Sequence, residues 1–90
     1  MPASLTDMRL FVAAYEERSF TVAAQRENAT QSGVSQHVAK LEMQLGIDLF
    51  SREKGRIAPT PAADRYYARC LEVLHAYEAA NASLDGLKGQ

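Results

Sequence analysis

Apolar residues recur every three or four positions along most of this chain, which is the spacing of the buried face of an amphipathic α-helix. The first such segment runs from Ser4 to about Glu17, where Arg18 and Ser19 interrupt it. Ser4 and Asp7, three residues apart, predict a capping box at its start. The apolar face of this first helix consists of Leu5, Met8, Phe11, Val12 and Tyr15.

A second and a third helix follow, separated by a short polar break. We expect Thr21 to cap the second helix and Phe20 to pack into the core between helices. The second helix should end near Asn28, a residue type that tolerates a left-handed backbone. Thr30 is predicted to cap the third helix, and Gly46 to follow its last residue. The apolar stripe of the third helix consists of Val34, Val38, Leu41 and Leu45.

The opposite face of the third helix carries only small, amide and hydroxyl side chains. A face without bulk can approach another molecule closely, and amides and hydroxyls can both donate to and accept from base edges and phosphates. The residues alone leave two interpretations open, a helix that reads the DNA major groove and an ordinary solvated face. Gly33, within the helix, costs about 1 kcal/mol relative to alanine and indicates either a need for closeness or drift. The face consists of Gln31, Ser32, Ser35, Gln36 and Ala39.

Two short apolar and basic runs come next, on either side of Glu53-Lys54-Gly55. They predict a β-hairpin, with Pro59 at the end of an edge strand. A hairpin that follows a helix-turn-helix would be a wing. Its cations would then contact the DNA backbone, although a solvated turn is the alternative. These cations are Arg52, Lys54 and Arg56.

Thr60 followed by Pro61 predicts the start of another helix, because proline is favoured at the first helical position. No helix breaker follows before about Asp85. The apolar positions alternate spacings of four and three, as in a coiled coil. So small a core cannot bury the whole stripe, so we expect the helix to pair with a second copy of the chain. This predicted dimer seam consists of Ala63, Tyr67, Cys70, Leu74, Tyr77, Asn81 and Leu84.

Composition sets further bounds on the class of protein. Ninety residues make one small domain, and 47% hydrophobic with 23% charged residues is ordinary for a globular chain. The sequence holds no apolar run of the roughly 18 residues that span a bilayer, and its N-terminus does not resemble a secretory signal. A single cysteine excludes an intrachain disulfide and fits a reducing compartment. We therefore expect a cytoplasmic protein that does not associate with membranes.

The net charge of −1 argues mildly against nucleic acid as a partner, because domains that bind it are usually basic. The distribution of charge changes this picture. Residues 18–56 hold six Arg and Lys against four Asp and Glu, whereas acidic residues exceed basic ones on both sides of this segment. The positive charge therefore surrounds the second and third helices, and the predicted affinity per protomer is modest.

The sequence offers no constellation that could carry an enzymatic reaction. Cys70 and His75 lie five residues apart, which places them about 140° apart around a helix with no third group to orient a base. No Cys/His spacing resembles a zinc site, and no glycine-rich phosphate loop is present. We therefore predict no enzyme activity, no metal and no cofactor. His37 lies off the apolar stripe, and we expect a surface residue or a phosphate contact.

Three motifs together resemble a known family. LxxxxxFVAxYEExSFTxAA is followed by TQSxVSxxVxxLExxLGxxLFxR and then by a glycine-centred basic turn and TPA. In this order and spacing they resemble the N-terminal DNA-binding domain of LysR-type transcriptional regulators, from Leu5 to the mid-80s. The resemblance implies a mainly α fold: a winged helix-turn-helix with a three-helix core at residues 1–60, and a linker helix for dimerisation at 61–90. It also implies a C-terminal domain that senses a small molecule and that this chain lacks, so we expect a piece of a longer protein.

The resemblance also implies roles for individual residues. Thr21 occupies the start of the second helix, where the family meets a phosphate, and Arg52, Lys54 and Arg56 occupy the wing that approaches phosphates or the minor groove. Four residues occupy the positions where the family's recognition helix contacts DNA: Thr30, Gln31, Ser32 and Ser35.

Four positions depart from the family pattern. Gln36 replaces a frequent arginine, so a cation that could bind guanine is absent, and glutamine there would favour adenine. Ser32 stands where proline is usual, Gly33 where alanine is common, and Glu27 where leucine is usual. Base discrimination should therefore depend on Gln31 and Ser35, with affinity supplied by the wing and by dimerisation.

The function predicted from the sequence is specific binding of double-stranded promoter DNA by a bacterial regulator. The chain would act as a homodimer on an interrupted inverted repeat, and higher oligomers could form in the full-length protein. The alternative is a protein–protein interaction module that uses the same helices without DNA. The near-neutral charge and Gln36 favour that alternative slightly, whereas the basic wing argues against it.

Overall fold

A computed structural model of the protein describes residues 3–88. The fold is mainly helical, with a helix-turn-helix, a two-stranded antiparallel hairpin and a long helix in that order, as the sequence predicts. None of the helices in this range combines the length and apolar character needed to cross a membrane. The elements are α1 (Leu5–Glu17), α2 (Phe20–Glu27), α3 (Gln31–Leu45), β1 (Phe50–Glu53), β2 (Arg56–Pro59), α4 (Pro61–Ala82) and α5 (Asp85–Lys88).

Local capping chemistry sets the ends of the first two helices. The predicted capping box of α1 is present, with Ser4 Oγ accepting from the Asp7 amide and Asp7 Oδ2 accepting from the Ser4 amide, both at 3.1 Å. The prediction that Thr21 caps α2 was wrong. Ser19 is the cap, because its extended backbone aims Oγ at the Val22 amide, 3.1 Å away, and Thr21 already lies inside the helix.

The predicted ends of α2 and α3 are confirmed. Asn28 ends α2 in the left-handed conformation at φ 55°, and Gly46 ends α3 at φ 72°. Thr30 caps α3, with its Oγ1 accepting from the Gly33 amide at 3.0 Å. A Cβ at Gly33 would lie 2.9 Å from that same Oγ1, so closeness to the cap favours glycine there.

The core forms around α1, which packs against α2, α3 and α4. Phe11 is fully buried, and its ring centroid lies 5.2 Å from Tyr66 of α4 and 5.8 Å from Phe50 of β1. Phe20 meets the edge of Phe50, as expected of a residue packed between elements. The core therefore continues from the helix-turn-helix into α4, across the boundary predicted between residues 60 and 61.

The first half of α4 is fixed to α1 by core packing and by two tyrosine hydroxyls. Tyr15 donates to Asp64 at 2.7 Å, Tyr67 donates to Glu16 at 2.5 Å, and the two tyrosine rings stack with centroids 4.0 Å apart. The phenol pKa of Tyr67 rises to about 12, first because of the hydrogen bond to Glu16 and then because of burial. These contacts fix how α4 leaves the helix-turn-helix.

This packing corrects the first part of the predicted dimer seam. Cys70 is 1% exposed and Leu74 8% exposed within this single chain, so neither offers a surface to a second copy. Tyr67 is also committed to α1, through Glu16 and the stacked ring. The seam residues Tyr77, Asn81 and Leu84 lie exposed.

The hairpin is shorter than the sequence suggested, and α4 ends earlier. β1 starts at Phe50 rather than in the preceding apolar run, and Pro59 pairs with Phe50 at the open end of the hairpin, as predicted. Lys54 and Gly55 form the two-residue turn with φ values of 53° and 75°, a type I′ geometry that favours glycine. Helix α4 ends at Ala82 and not near residue 85.

Candidate nucleic-acid interface

The polar face of α3 faces solvent. Gln31, Ser32 and Gln36 are exposed, and Ser35 is half-buried. The hydroxyl of Thr30 is occupied by its cap bond and lies 3.4 Å from Ser32 Oγ, so this residue fixes the first turn of α3. An exposed row of amides and hydroxyls on a well-capped helix can present donors and acceptors to an approaching surface.

Three of the predicted site residues, from three different elements, line one groove of about 450 Å³. Thr21 comes from α2, Gln31 from the start of α3, and Arg56 from β2. We call this the wing groove. Its full lining is Arg18, Ser19, Phe20, Thr21, Gln31, Gly55, Arg56 and Ile57.

The wing is attached to α3 through the carboxylate of Glu42. Its Oε2 accepts from the backbone amides of Leu49 at 2.8 Å and Phe50 at 3.1 Å. Its Oε1 pairs with Arg52 at 3.4 Å, and the Arg52 guanidinium lies 5.6 Å from the centroid of the Phe20 ring. Arg52 therefore holds the wing in place.

The other two wing cations are not engaged in this way. Within residues 3–88, neither Lys54 nor Arg56 has an ion-pair partner, and both side chains lie exposed at the hairpin tip and in β2. The wing thus presents two unpaired cations, of which Arg56 shares the wing groove with Gln31 of α3, and exposed cations of this kind are suited to contacts with phosphate.

A family model decides what this arrangement belongs to. The model for the bacterial regulatory helix-turn-helix protein of the lysR family matches residues 5–64. The chain belongs to this family. Residues 5–64 are therefore the helix-turn-helix DNA-binding domain of LysR-type transcriptional regulators.

Individual relatives agree with this assignment. The chain is 37% identical over 86 residues to the HTH-type transcriptional regulator PgrR of Escherichia coli K12, covering 96% of this chain but 29% of PgrR. Oxidised OxyR of Corynebacterium glutamicum superposes with a TM-score of 0.94 at 28% identity, over 100% of this chain and 28% of that one. The solved BenM_DBD/catB site 1 DNA complex gives 0.87 at 29% identity, over 97% and 98% of the two chains.

The structure also gives a physical account of the LysR-type motif between α3 and the wing. Leu41 is buried, Glu42 binds the backbone that enters β1, and Gly46 takes the left-handed cap. Leu49 and Phe50 then return to the core, and Arg52 turns back to Glu42. The spacing of the motif therefore positions the wing relative to α3.

His37 is a half-buried residue with a structural partner, not a plain surface residue, and the phosphate contact expected of it stays a prediction. Its Nδ1 lies 2.5 Å from Oδ1 of Asp7, which is fully buried, and Lys40 Nζ lies 3.3 Å from Oδ2. Burial raises the pKa of Asp7, but the hydrogen bonds from His37, Ser4 and Lys40 outweigh it and lower the pKa to about 2. Helix α3 is thereby braced against the start of α1, thirty residues away in sequence.

Acidic residues gather in a second groove that shares no lining residue with the wing groove. There Arg26 pairs with Glu16 at 2.7 Å, Glu17 at 3.2 Å and Glu27 at 3.3 Å, and the hydrogen bond that it donates to Glu16 raises the pKa of Arg26 despite burial. Glu27, which stands where the family usually has leucine, thus packs as an ion-pair partner. The near-zero net charge therefore conceals one groove with carboxylates and one without.

The structure brings together residues that the sequence treated separately and adds one that was not predicted. Arg18 lines the wing groove beside Thr21, Gln31 and Arg56. Its charge and its place in the α1–α2 turn were visible in the sequence, but nothing in their spacing connects the turn with the wing. Among residues 3–88, no cluster of His, Cys, Asp and Glu is arranged to hold a metal ion.

Proposed function

We propose that this chain binds double-stranded promoter DNA with sequence specificity, as a symmetric dimer on an interrupted inverted repeat. The observation that carries the proposal is the convergence of Thr21, Gln31 and Arg56 on one groove beside the exposed face of α3. A helix that enters the major groove needs such flanking groups to fix its register on the phosphates. The solved BenM_DBD/catB site 1 complex contains DNA, which supports the same use here.

In this proposal the residues divide into readers, which contact the edges of bases, and holders, which contact phosphates. Gln31, Ser32, Ser35 and Gln36 face base edges, where glutamine pairs best with adenine. Thr30 sets the first turn of the reading helix and lies at the DNA surface. The holders, which contact phosphates and carry no sequence information, are Thr21, Arg52, Lys54 and Arg56.

Dimerisation is proposed through the end of α4 and the residues that follow it. Tyr77 is 42% exposed and Leu84 57% exposed, with Asn81 between them on the exposed side. Val73 and Leu87 extend this apolar surface at 41% and 68% exposure. Two-fold pairing of these helices would set two reading helices in inverted orientation, which predicts an inverted repeat in the DNA.

The remaining parts of the proposal concern the longer protein. The chain spans 29% of the length of PgrR, so a small-molecule effector would act through a further domain and not through these 90 residues. Higher oligomers would likewise depend on that domain. We place the protein in the cytoplasm, where promoter DNA lies.

Selection of bound duplexes from a random pool tests the proposal directly. We expect enrichment of two half-sites in inverted orientation with a fixed spacing between their centres. Enrichment of an unpaired half-site would contradict the dimer, and no enrichment over the input pool would contradict specific binding.

Two substitutions separate readers from holders on the selected duplex. Ser35→Arg should change base preference by about 1–3 kcal/mol at one position, because the new guanidinium can bind guanine. Lys54→Ala should weaken specific and random duplexes alike and reduce the salt dependence of binding. A uniform loss from both variants, measured by fluorescence anisotropy, would contradict this division.

A further inference from the structure

Arg18 occupies an unusual backbone position between α1 and α2. It is one of the non-glycine residues with positive φ, at 55°, a conformation that glycine adopts without the steric penalty of a Cβ. Its side chain is nevertheless held in place. Nε donates to the carbonyl oxygen of Tyr15 at 3.1 Å, and the guanidinium lies 5.5 Å from the centroid of the Tyr15 ring.

The anchored side chain lies at the wing groove. Only Nε is used in a hydrogen bond, so the two terminal nitrogens of Arg18 retain their donors. Arg56 lines the same groove from the wing, and no aspartate or glutamate is among the lining residues. Within residues 3–88 neither arginine has a carboxylate partner, whereas Arg26 in the second groove has three.

The recognition helix α3 carries few charges that could attract phosphate, which gives Arg18 and Arg56 a function beside it. Exposed Gln31, Ser32 and Gln36 and half-buried Ser35 are uncharged, and Lys40 farther along is paired with buried Asp7. Attraction to phosphates must therefore come from beside α3. An arginine that is already anchored loses less freedom on binding than a mobile one, and its planar fork matches two phosphate oxygens.

We propose that Arg18 is a DNA-backbone contact that binds phosphate from the α1–α2 turn, opposite Arg56 of the wing. The inference rests on the proposed DNA binding and adds to it a site residue that is not in the recognition helix or the wing. Arg18 from the α1–α2 turn and Arg56 from β2 would both contact phosphates of the DNA strand that lies beside the wing groove. Because the contact is with phosphate, it would contribute equally to all sequences.

The test compares Arg18→Gln with Arg9→Gln, which removes an arginine from the second groove. Binding to the selected duplex and to a random duplex is measured by anisotropy from about 50 to 200 mM salt. Loss of one phosphate contact should reduce the slope of log affinity against log salt by about 0.9. Relative to equal binding at about 1 M salt, this change in slope is about an eightfold loss of affinity at about 0.1 M. We expect this for Arg18→Gln on both duplexes and not for Arg9→Gln.

Two further variants separate a DNA contact from a structural role. Arg18→Gly suits the left-handed backbone, so it should lose affinity without a fall in Tm. Arg18→Lys should retain most of the salt dependence because the charge remains. If the wild-type chain binds and Arg18→Gln keeps its slope and affinity, the inference is overturned while the proposed function stands. If the wild-type chain shows no salt-dependent binding to any duplex, the proposed function fails and takes the inference with it.

Discussion

The two halves of the predicted dimer seam, residues 63–74 and residues 77–84, carry the same heptad spacing and lie in different surroundings. In the first half Ala63, Cys70 and Leu74 are buried against the chain's own core, and in the second half Tyr77 and Leu84 are exposed. Length explains the difference, because the 13 residues of α1 rise about 20 Å while the 22 residues of α4 rise about 33 Å. The molecule measures 54 × 25 × 22 Å, so the end of α4 extends beyond the body that buries its start.

One heptad pattern can therefore pack partly against its own chain and partly against a second chain. A heptad repeat indicates that a helix buries a stripe, but it does not say whether the stripe is covered by the same chain or by another. Here the hydroxyl and ring contacts of Tyr15 and Tyr67 mark the half that is covered by α1. We expect the buried half to contribute to the stability of the folded chain and the exposed half to its association.

The largest expected effect is on stability in the first half. Leu74→Ala should lower the free energy of unfolding by about 2–3 kcal/mol, because it removes a buried side chain and leaves a cavity against α1. Urea denaturation followed by circular dichroism measures it. Leu84→Ala is the control and should stay within about 0.5 kcal/mol for the folded monomer. Equal losses at the two leucines would remove the distinction between the halves.

Association should depend on the second half. Leu84→Asp should raise the dimer dissociation constant at least about tenfold, because a carboxylate would replace apolar area in the proposed interface. Sedimentation equilibrium gives the constant, and an unchanged helical spectrum shows that the chain still folds. Ala68→Asp is the control, since Ala68 is exposed in the first half of α4. If only the control variant dissociated, the interface would have been assigned to the wrong half.

The smallest effect concerns the hydroxyl that ties α4 to α1. Tyr67→Phe should lower the free energy of unfolding by about 1 kcal/mol at neutral pH, through loss of the bond to Glu16. Tyr77→Phe, in the exposed half, should change nothing. The same hydrogen bond lowers the pKa of Glu16 below its ordinary value of 4.5, burial opposes this, and Arg26 adds to the lowering.

The sign of the pH dependence follows from that shift. A carboxylate with a lowered pKa in the folded state stabilises it above the unfolded pKa, and this contribution is lost as pH falls through the folded value. The difference between wild type and Tyr67→Phe should therefore be largest near neutral pH and shrink below pH 4.5. A difference that grew on acidification would show that the Tyr67 hydroxyl does not act through the ionised carboxylate.

Much of the fold could be predicted because short-range chemistry determines it. The capping box at Ser4, the caps at Thr30 and Thr60 and the left-handed ends at Asn28 and Gly46 all depend on residues within a few positions of each other. The cap of α2 was misplaced because serine and threonine stand two residues apart and have the same chemistry. In the structure α1 ends at left-handed Arg18, and Ser19 directly after it accepts from the Val22 amide.

The exposed face and the cations of the candidate site could be predicted in part, for a related reason. Gln31, Ser32, Ser35 and Gln36 follow from the period of one helix, since the face opposite an apolar stripe must be exposed. Arg18 was missed because no period connects the α1–α2 turn with the wing. The bracing of His37 by Asp7 was also missed, because its partners lie thirty residues apart and meet only through the packing of α1 on α3.

By itself the sequence determined the helices, all but one of the predicted caps, the hairpin and membership of the LysR family, because each depends on local spacing or on motifs read in order. Tertiary structure alone decided which half of the predicted seam remains exposed, and which cations are paired with carboxylates and which are not. Those outcomes depend on which surfaces meet when α1 is enclosed by its neighbours. Ion pairing and exposure depend on contacts between residues that are distant in sequence, so local spacing along the chain does not predict them.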